Sequence, residues 1–90
     1  MATIRKLVLD VLKPHQPNAL HFAATLAEQG ADYRVRLTVT EMDEKTESIV
    51  LVITGRDIKF EAIEEAIKRM GASLHSIDEV EVYGTSPPSE

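Results

Sequence analysis

The sequence predicts an α+β fold in which two helices cover one face of a four-stranded antiparallel sheet. Apolar residues alternate with polar or mixed residues in four stretches, as in β-strands, and recur every three to four residues in two others, as in amphipathic helices. The order along the chain is strand, helix, strand, strand, helix, strand. This βαββαβ order is the split βαβ, or ferredoxin-like, pattern.

Composition limits the architecture and the chemistry. The 90 residues have room for one domain, which we place at residues 1–83, followed by a flexible tail at 84–90 that contains Ser-Pro-Pro-Ser. The absence of cysteine excludes disulfides, thiolate nucleophiles and Cys-ligated metals. A net charge of −5 disfavours nucleic acid as a partner. The short apolar runs and the lack of a signal pattern predict no membrane segment and a cytoplasmic location.

Residues 4–15 predict the central strand. Leu7, Leu9 and Val11 occupy one side, whereas Lys6, Val8, Asp10 and Leu12 occupy the other. Pro14 ends the strand because it cannot donate a ladder hydrogen bond.

Two helices follow from the three-to-four-residue spacing of apolar side chains. Pro17 sits where a proline at the first helical position belongs, residues 18–29 carry the spacing of the first helix, and Gly30 follows its end. The second begins after Asp57, a candidate N-cap, and ends before Gly71. Its apolar stripe contains Phe60, Ile63, Ala66, Ile67 and Met70.

Three further strands are predicted at residues 32–40, 47–55 and 72–83. The polar turn at 41–46 joins the first two as a hairpin. In the last strand Ser76 and Asp78 interrupt the apolar side, which predicts a bulge or a strand end there.

The fold places the first and third strands in the middle of the sheet, and we expect them to run parallel to each other, with the fourth and second strands at the edges. The helices then cover the side that carries these apolar residues: Leu7, Leu9, Val11, Tyr33, Val35, Leu37, Val39, Ile49, Leu51 and Ile53.

The opposite side of the sheet has an apolar middle. Val8, Val50, Val52 and Ile77 lie there in this arrangement, and burying them favours a homo-oligomer formed through this face, through the edge strands, or both. The alternative is that β-branched residues serve strand propensity alone. RNA binding on this face would need aromatic side chains for stacking, and the centre of the face has none.

Polar side chains gather at one end of the predicted sheet. If the first and third strands end together, Asp10, His15, Asp57 and His75 converge, with Ser76 and Asp78 nearby. Asp10, His15, His75 and Asp78 are then candidate ligands for a divalent cation such as Ca²⁺, Mg²⁺ or Zn²⁺. The alternative is structural: His15 helps to start the first helix, His75 bonds to Asp10, and Asp57 is only a cap. A Ser76-His75-Asp10 triad lacks the nucleophile elbow that would support it.

Three segments carry a resemblance to a known family. These are Leu-Val-Leu-Asp-Val-Leu-Lys-Pro-His at 7–15, Phe-Glu-Ala-Ile-Glu-Glu-Ala-Ile at 60–67, and His-Ser-Ile-Asp-Glu-Val at 75–80. Over residues 2–83 the chain resembles the archaeal domain-of-unknown-function family 211. The resemblance implies a ferredoxin-like fold and a ring-like homo-oligomer, and it implies no established activity. The strand at 33–37 and the alanine-rich first helix differ from the sequence that is usual in the family. If these surfaces form the contacts between subunits, the number of subunits can differ as well.

The sequence therefore predicts a non-catalytic, homo-oligomeric module with a regulatory or small-ligand-binding role, the role being an analogy from the fold alone. The alternative is a divalent-metal-binding protein, or a metal-dependent enzyme, with its site at Asp10, His15 and His75.

Overall fold

The computed structural model describes residues 2–84 and confirms the predicted order of elements. These are β1 (Ala2–Pro14), α1 (Ala19–Ala27), β2 (Arg34–Met42), β3 (Thr46–Thr54), α2 (Phe60–Arg69) and β4 (Ser73–Gly84). Gly84, which we assigned to the tail, is the last residue of β4. The rest of the predicted tail, 85–90, lies outside the described residues.

The sheet has the order β2-β3-β1-β4, so β1 and β3 lie in the middle as predicted. All three neighbouring pairs are antiparallel, and the expectation that β1 and β3 run parallel is wrong. The tight β2–β3 hairpin reverses the chain direction, so that β2 runs with β1 and β3 runs against it. The end of β1 therefore adjoins the start of β3, where Pro14 faces Thr46.

One hydrophobic core joins the helices to one side of the sheet. The fully buried apolar strand residues are Leu7, Leu9, Val11, Ile49, Leu51 and Ile53, all predicted, and Phe22, Leu26, Ile63, Ala66 and Ile67 reach them from the helices. Tyr33, Val35 and Leu37 are only partly buried, and Val39 is 37% exposed. These four belong to β2 or its approach, and an edge strand has a neighbour on one side only.

The start of α2 differs from the prediction. Lys59, not Asp57, is the N-cap, and the Lys59 side chain makes no capping hydrogen bond. The amide of Ile58 donates to the carbonyl of Ile4 at 2.9 Å, which holds the chain beside β1 until residue 58. The Asp57 carboxylate contacts the Lys59 ammonium at 3.1 Å instead.

The other helix ends are close to those predicted. Asn18 caps α1 by accepting from the amide of His21, so Pro17 lies just before the cap rather than at the first helical position. Gly71 follows α2 with a φ of +84°, the left-handed conformation that favours glycine after a helix. Neither helix within residues 2–84 has the length and apolar character that crossing a membrane requires.

The predicted irregularity in β4 is confirmed. The pairing of β1 with β4 shifts between Val8 and Leu9 and again between Asp10 and Val11, so Asp78 and His75 are extra residues in β4. Because of the first shift, Ile77 lies opposite the core residue Leu9, and not opposite a residue of the helix-free face as we expected. The same pairing places Val80 opposite Leu7 and Val82 opposite Ile4.

Candidate functional site

The structure separates the polar residues that the sequence placed together. Asp57 follows the end of β3, which pairs with the first half of β1, so Asp57 lies at the opposite end of the sheet from His15. His15 contacts Glu47, and the Ser76 hydroxyl donates to the Asp78 carboxylate at 2.7 Å. The prediction that these residues converge depended on a parallel β1–β3 pair. Because the pair is antiparallel, the end of β3 lies at the other end of the sheet from the end of β1.

Asp10 and His75 do lie near each other. Together with Ser48 and Leu12 they line a cleft of about 250 Å³ on the side of the sheet that the helices leave uncovered. The cleft crosses three strands, because Asp10 lies opposite Val50 of β3 and opposite Ser76 of β4. A carboxylate, an imidazole and a hydroxyl are chemically suited to a divalent cation. Within residues 2–84, however, no three His, Cys, Asp or Glu side chains form a group that could hold a metal ion.

A buried ion pair that the sequence analysis missed lies at the end of β1. Lys13 and Glu47 face each other across the β1–β3 pair, and the Lys13 ammonium is 3.2 Å from the Glu47 carboxylate. The Lys13 side chain is fully buried and also donates to the carbonyls of Pro14 and Pro17, both at 2.7 Å. These acceptors satisfy the buried charge, and they tie the end of β1 to the turn before α1.

His15 extends this cluster to the β2–β3 turn. Its Nδ1 lies 2.9 Å from the Glu47 carboxylate, and its Nε2 lies 3.0 Å from the carbonyl oxygens of both Asp43 and Glu44. Both ring nitrogens thus face oxygen atoms that can only accept, which favours the doubly protonated imidazolium.

The contacts shift both pKa values in the directions expected for an ion pair. The hydrogen bond to Glu47 raises the pKa of His15 above its ordinary value, and the carbonyls of Glu44 and Asp43 add to this. The hydrogen bond from His15 lowers the pKa of Glu47, with Lys13 contributing in the same direction. We call Lys13, His15 and Glu47 the charged corner; its donors and acceptors are used within the fold, so its chemistry is structural.

Strand alternation could have revealed this corner. Lys13 shares the parity of Leu7, Leu9 and Val11, and Glu47 shares that of Ile49 and Leu51. Two opposite charges at core positions of neighbouring strands indicate a buried pair.

The helix-free side of the sheet, which we call the open face, carries an ordered charge pattern. Cross-strand pairing aligns its residues in rows. One row reads Arg34, Thr54, Lys6 and Glu81 from β2 to β4, and the next reads Arg36, Val52, Val8 and Glu79. Each row begins with a cation at one edge and ends with a carboxylate at the other, while Val8, Val50 and Val52 in the middle are half-buried.

On the helix side, the edge strand β4 is incompletely covered. Ile77, Val80 and Val82 are 49%, 54% and 49% exposed, although their cross-strand partners on β1 belong to or pack against the core. We call these three residues the β4 strip. Such an apolar strip on an edge strand is typical of an interaction surface.

Comparison with known proteins gives consistent results. The model of the domain-of-unknown-function family 211 (DUF211), described as "Uncharacterized ArCR", matches residues 5–86. The chain is also similar to "Uncharacterized protein MJ0319" of Methanocaldococcus jannaschii, with 41% identity over 80 residues, 89% of this chain and 82% of the relative. A family match over nearly the whole domain, together with this archaeal relative, shows that the chain belongs to the DUF211 family.

Proposed function

We propose that this chain is a non-catalytic module that assembles with copies of itself. The observation that carries the proposal is the β4 strip, three half-exposed aliphatic side chains on an edge strand of 12 residues. Among residues 2–84, the outer edge of β2, on the other side of the sheet, also has no strand beside it. Natural proteins usually shorten or cover their edge strands, because an open row of backbone donors and acceptors invites another strand.

The open face offers a second surface for self-association. Val8, Val50 and Val52 are half-buried in the single chain, and a second copy against them would remove the rest of their surface from water. Contacts between one edge strand of a copy and the opposite edge strand of the next form a closed ring when the rotations between successive copies add up to a full turn. This agrees with the ring that the family resemblance implies. We propose a regulatory or small-ligand-binding role in the cytoplasm for this oligomer, by analogy with other domains of this fold.

Light scattering after gel filtration tests self-association. We expect wild type to elute with a mass that is a multiple of 10.0 kDa at micromolar concentration. Val80→Asp should lower that mass, because a carboxylate on the β4 strip would be desolvated in the interface. Leu20→Asp is the matched control, since Leu20 is 80% exposed on α1, away from the sheet edge. A wild-type mass of 10.0 kDa at all concentrations would exclude stable self-association.

Divalent-metal binding is a second candidate function, favoured by the shared cleft of Asp10 and His75. Calorimetric titration of wild type and His75→Ala with Zn²⁺, Mg²⁺, Ca²⁺ and Mn²⁺ separates it from the first. Binding in this cleft predicts heat with wild type that the His75→Ala variant loses. No heat with wild type removes this candidate, and equal heat in the two proteins removes the cleft as the site.

A further inference from the structure

We propose that β2 of one copy pairs antiparallel with β4 of a second copy, in the register that places Arg34 beside Glu81 and Arg36 beside Glu79. The inference rests on the proposed self-association and adds to it the surface, the partner and the register. Each edge strand pairs with the opposite edge strand of an identical chain.

The strand directions permit this joint without rotating one copy end over end. β2 runs with β1, and β4 runs against β1. A second copy placed beside the first in the same orientation therefore brings its β2 antiparallel to β4 of the first. The sheet continues through the joint with the pairing that it has inside each chain.

Charge complementarity on the open face supports this pairing of β2 with β4 of a second copy. Within residues 2–84, no carboxylate lies within salt-bridge distance of Arg34 or Arg36, and the same holds for cations around Glu81. In the described part of the chain, the Glu79 carboxylate forms an ion pair with Lys6 alone, at 3.1 Å. The intrachain rows end in Arg at β2 and in Glu at β4, so alignment of the rows of two copies places each Arg beside a Glu.

Apolar complementarity supports the same register on the helix side. There the rows run from Val35 through Ile53 and Leu7 to Val80, and from Leu37 through Leu51 and Leu9 to Ile77. In the joint, Val80 meets Val35 of the second copy. Because Asp78 is an extra residue in β4, keeping that bulge in the joint brings Ile77 opposite Leu37. Val35 and Leu37 are both partly buried in the single chain. A slip of one residue would move the Glu side chains onto this apolar side, so the register is strongly specified.

Charge reversal with mixing tests the joint. Variant A carries Arg34→Glu and Arg36→Glu, and variant B carries Glu79→Arg and Glu81→Arg. Each alone places like charges together, and we expect on the order of tenfold weaker association or more, measured by light scattering across a concentration series. An equimolar mixture of A and B restores opposite charges at every joint between an A and a B subunit, and should regain association in an alternating arrangement. Controls with the same charge changes on α2 are Lys68→Glu with Arg69→Glu, and Glu61→Arg with Glu65→Arg.

The outcomes separate this inference from the proposed function. Recovery on mixing supports the joint and shows that both variants are folded. If A and B assemble as well as wild type, the proposed β2–β4 joint is overturned, but self-association is not. The joint is also overturned if A and B are impaired, their circular dichroism is native, and the mixture stays dissociated. Wild type that remains a monomer overturns the proposed function itself.

Discussion

Lys13 shows how a charge can occupy a core position of a strand. Its Nζ has three acceptors within 3.2 Å, one carboxylate and two carbonyls, so the ammonium exchanges water for a complete set of protein partners. Removing one partner of such a pair leaves the other charge buried, which is far more costly than breaking an exposed pair.

We therefore predict that Lys13→Met lowers the free energy of unfolding by about 3 kcal/mol, with His15 limiting the loss by continuing to neutralise Glu47. Lys59→Met is the control, because its contact with Asp57 joins side chains that are 67% and 50% exposed, and it should cost less than about 1 kcal/mol. Urea unfolding measures both. If the two substitutions lowered the free energy of unfolding equally, burial would not strengthen the contacts of Lys13.

His15 should make stability depend on pH. The raised pKa of His15 means that its contribution is complete below its ordinary pKa, near 6.5, and is lost as pH rises through the folded-state value. The lowered pKa of Glu47 means that its contribution is complete above its ordinary pKa, near 4.5, and is lost as pH falls through the folded-state value. The contact is strongest between these two ordinary values.

His15→Gln should accordingly destabilise the protein most near pH 5.5 and progressively less as pH rises above 6.5. Urea midpoints of variant and wild type at several pH values measure this, with His21→Gln as the control on the exposed side of α1. An NMR titration of the His15 ring with a midpoint at or below 6.5 would contradict the assignment.

At the scale of single elements, Gly71 controls the exit from α2. Its φ of +84° is unfavourable for any residue with a Cβ, whereas an added Cβ would meet only Pro14 Cγ, at an ordinary 3.7 Å. Gly71→Ala should cost about 1–2 kcal/mol in unfolding free energy through the backbone alone. Gly84→Ala, where an added Cβ meets nothing within 4 Å, should have no effect. Thermal melts of both variants compare them directly, and an unchanged Gly71→Ala protein would contradict the argument.

The elements themselves were predictable because alternation and helical spacing are local properties. Leu7, Leu9, Val11, Ile49, Leu51 and Ile53 are all in the core, and the β4 bulges lie where Ser76 and Asp78 interrupt the pattern. The errors arose from relations between elements. The direction of β3 relative to β1 decided the place of Asp57, and the register shift at Asp78 moved Ile77 to the helix side.

The candidate site was less predictable for the same reason. Asp10 and His75 meet in one cleft, but His15 turns to Glu47 and the β2–β3 turn. Lys13 and Glu47 follow the parity of the core, yet charge alone suggests exposure, and only the pairing of two distant strands explains their burial.

At the scale of the whole molecule, charge and apolar contacts should respond differently to salt. The Debye length falls from about 8 Å at physiological ionic strength to about 3 Å at 1 M, so salt screens the exposed Arg and Glu side chains. The association defect of Arg34→Glu with Arg36→Glu should therefore shrink in 1 M NaCl, whereas that of Val80→Asp should persist. Sedimentation velocity at both salt concentrations measures the difference, and a charge-reversal defect that does not change with salt would contradict the electrostatic origin.

The central place of β1 also has a consequence for biosynthesis. The ribosome makes β1 before both of its neighbours in the sheet, which begin only at Thr46 and Ser73, so the backbone groups of β1 that face β4 stay unmatched until β4 has been made. Nascent chains stalled before Ser73 has left the exit tunnel should be digested readily by protease. Resistance should arise in a single step once the 12 residues of β4 have emerged.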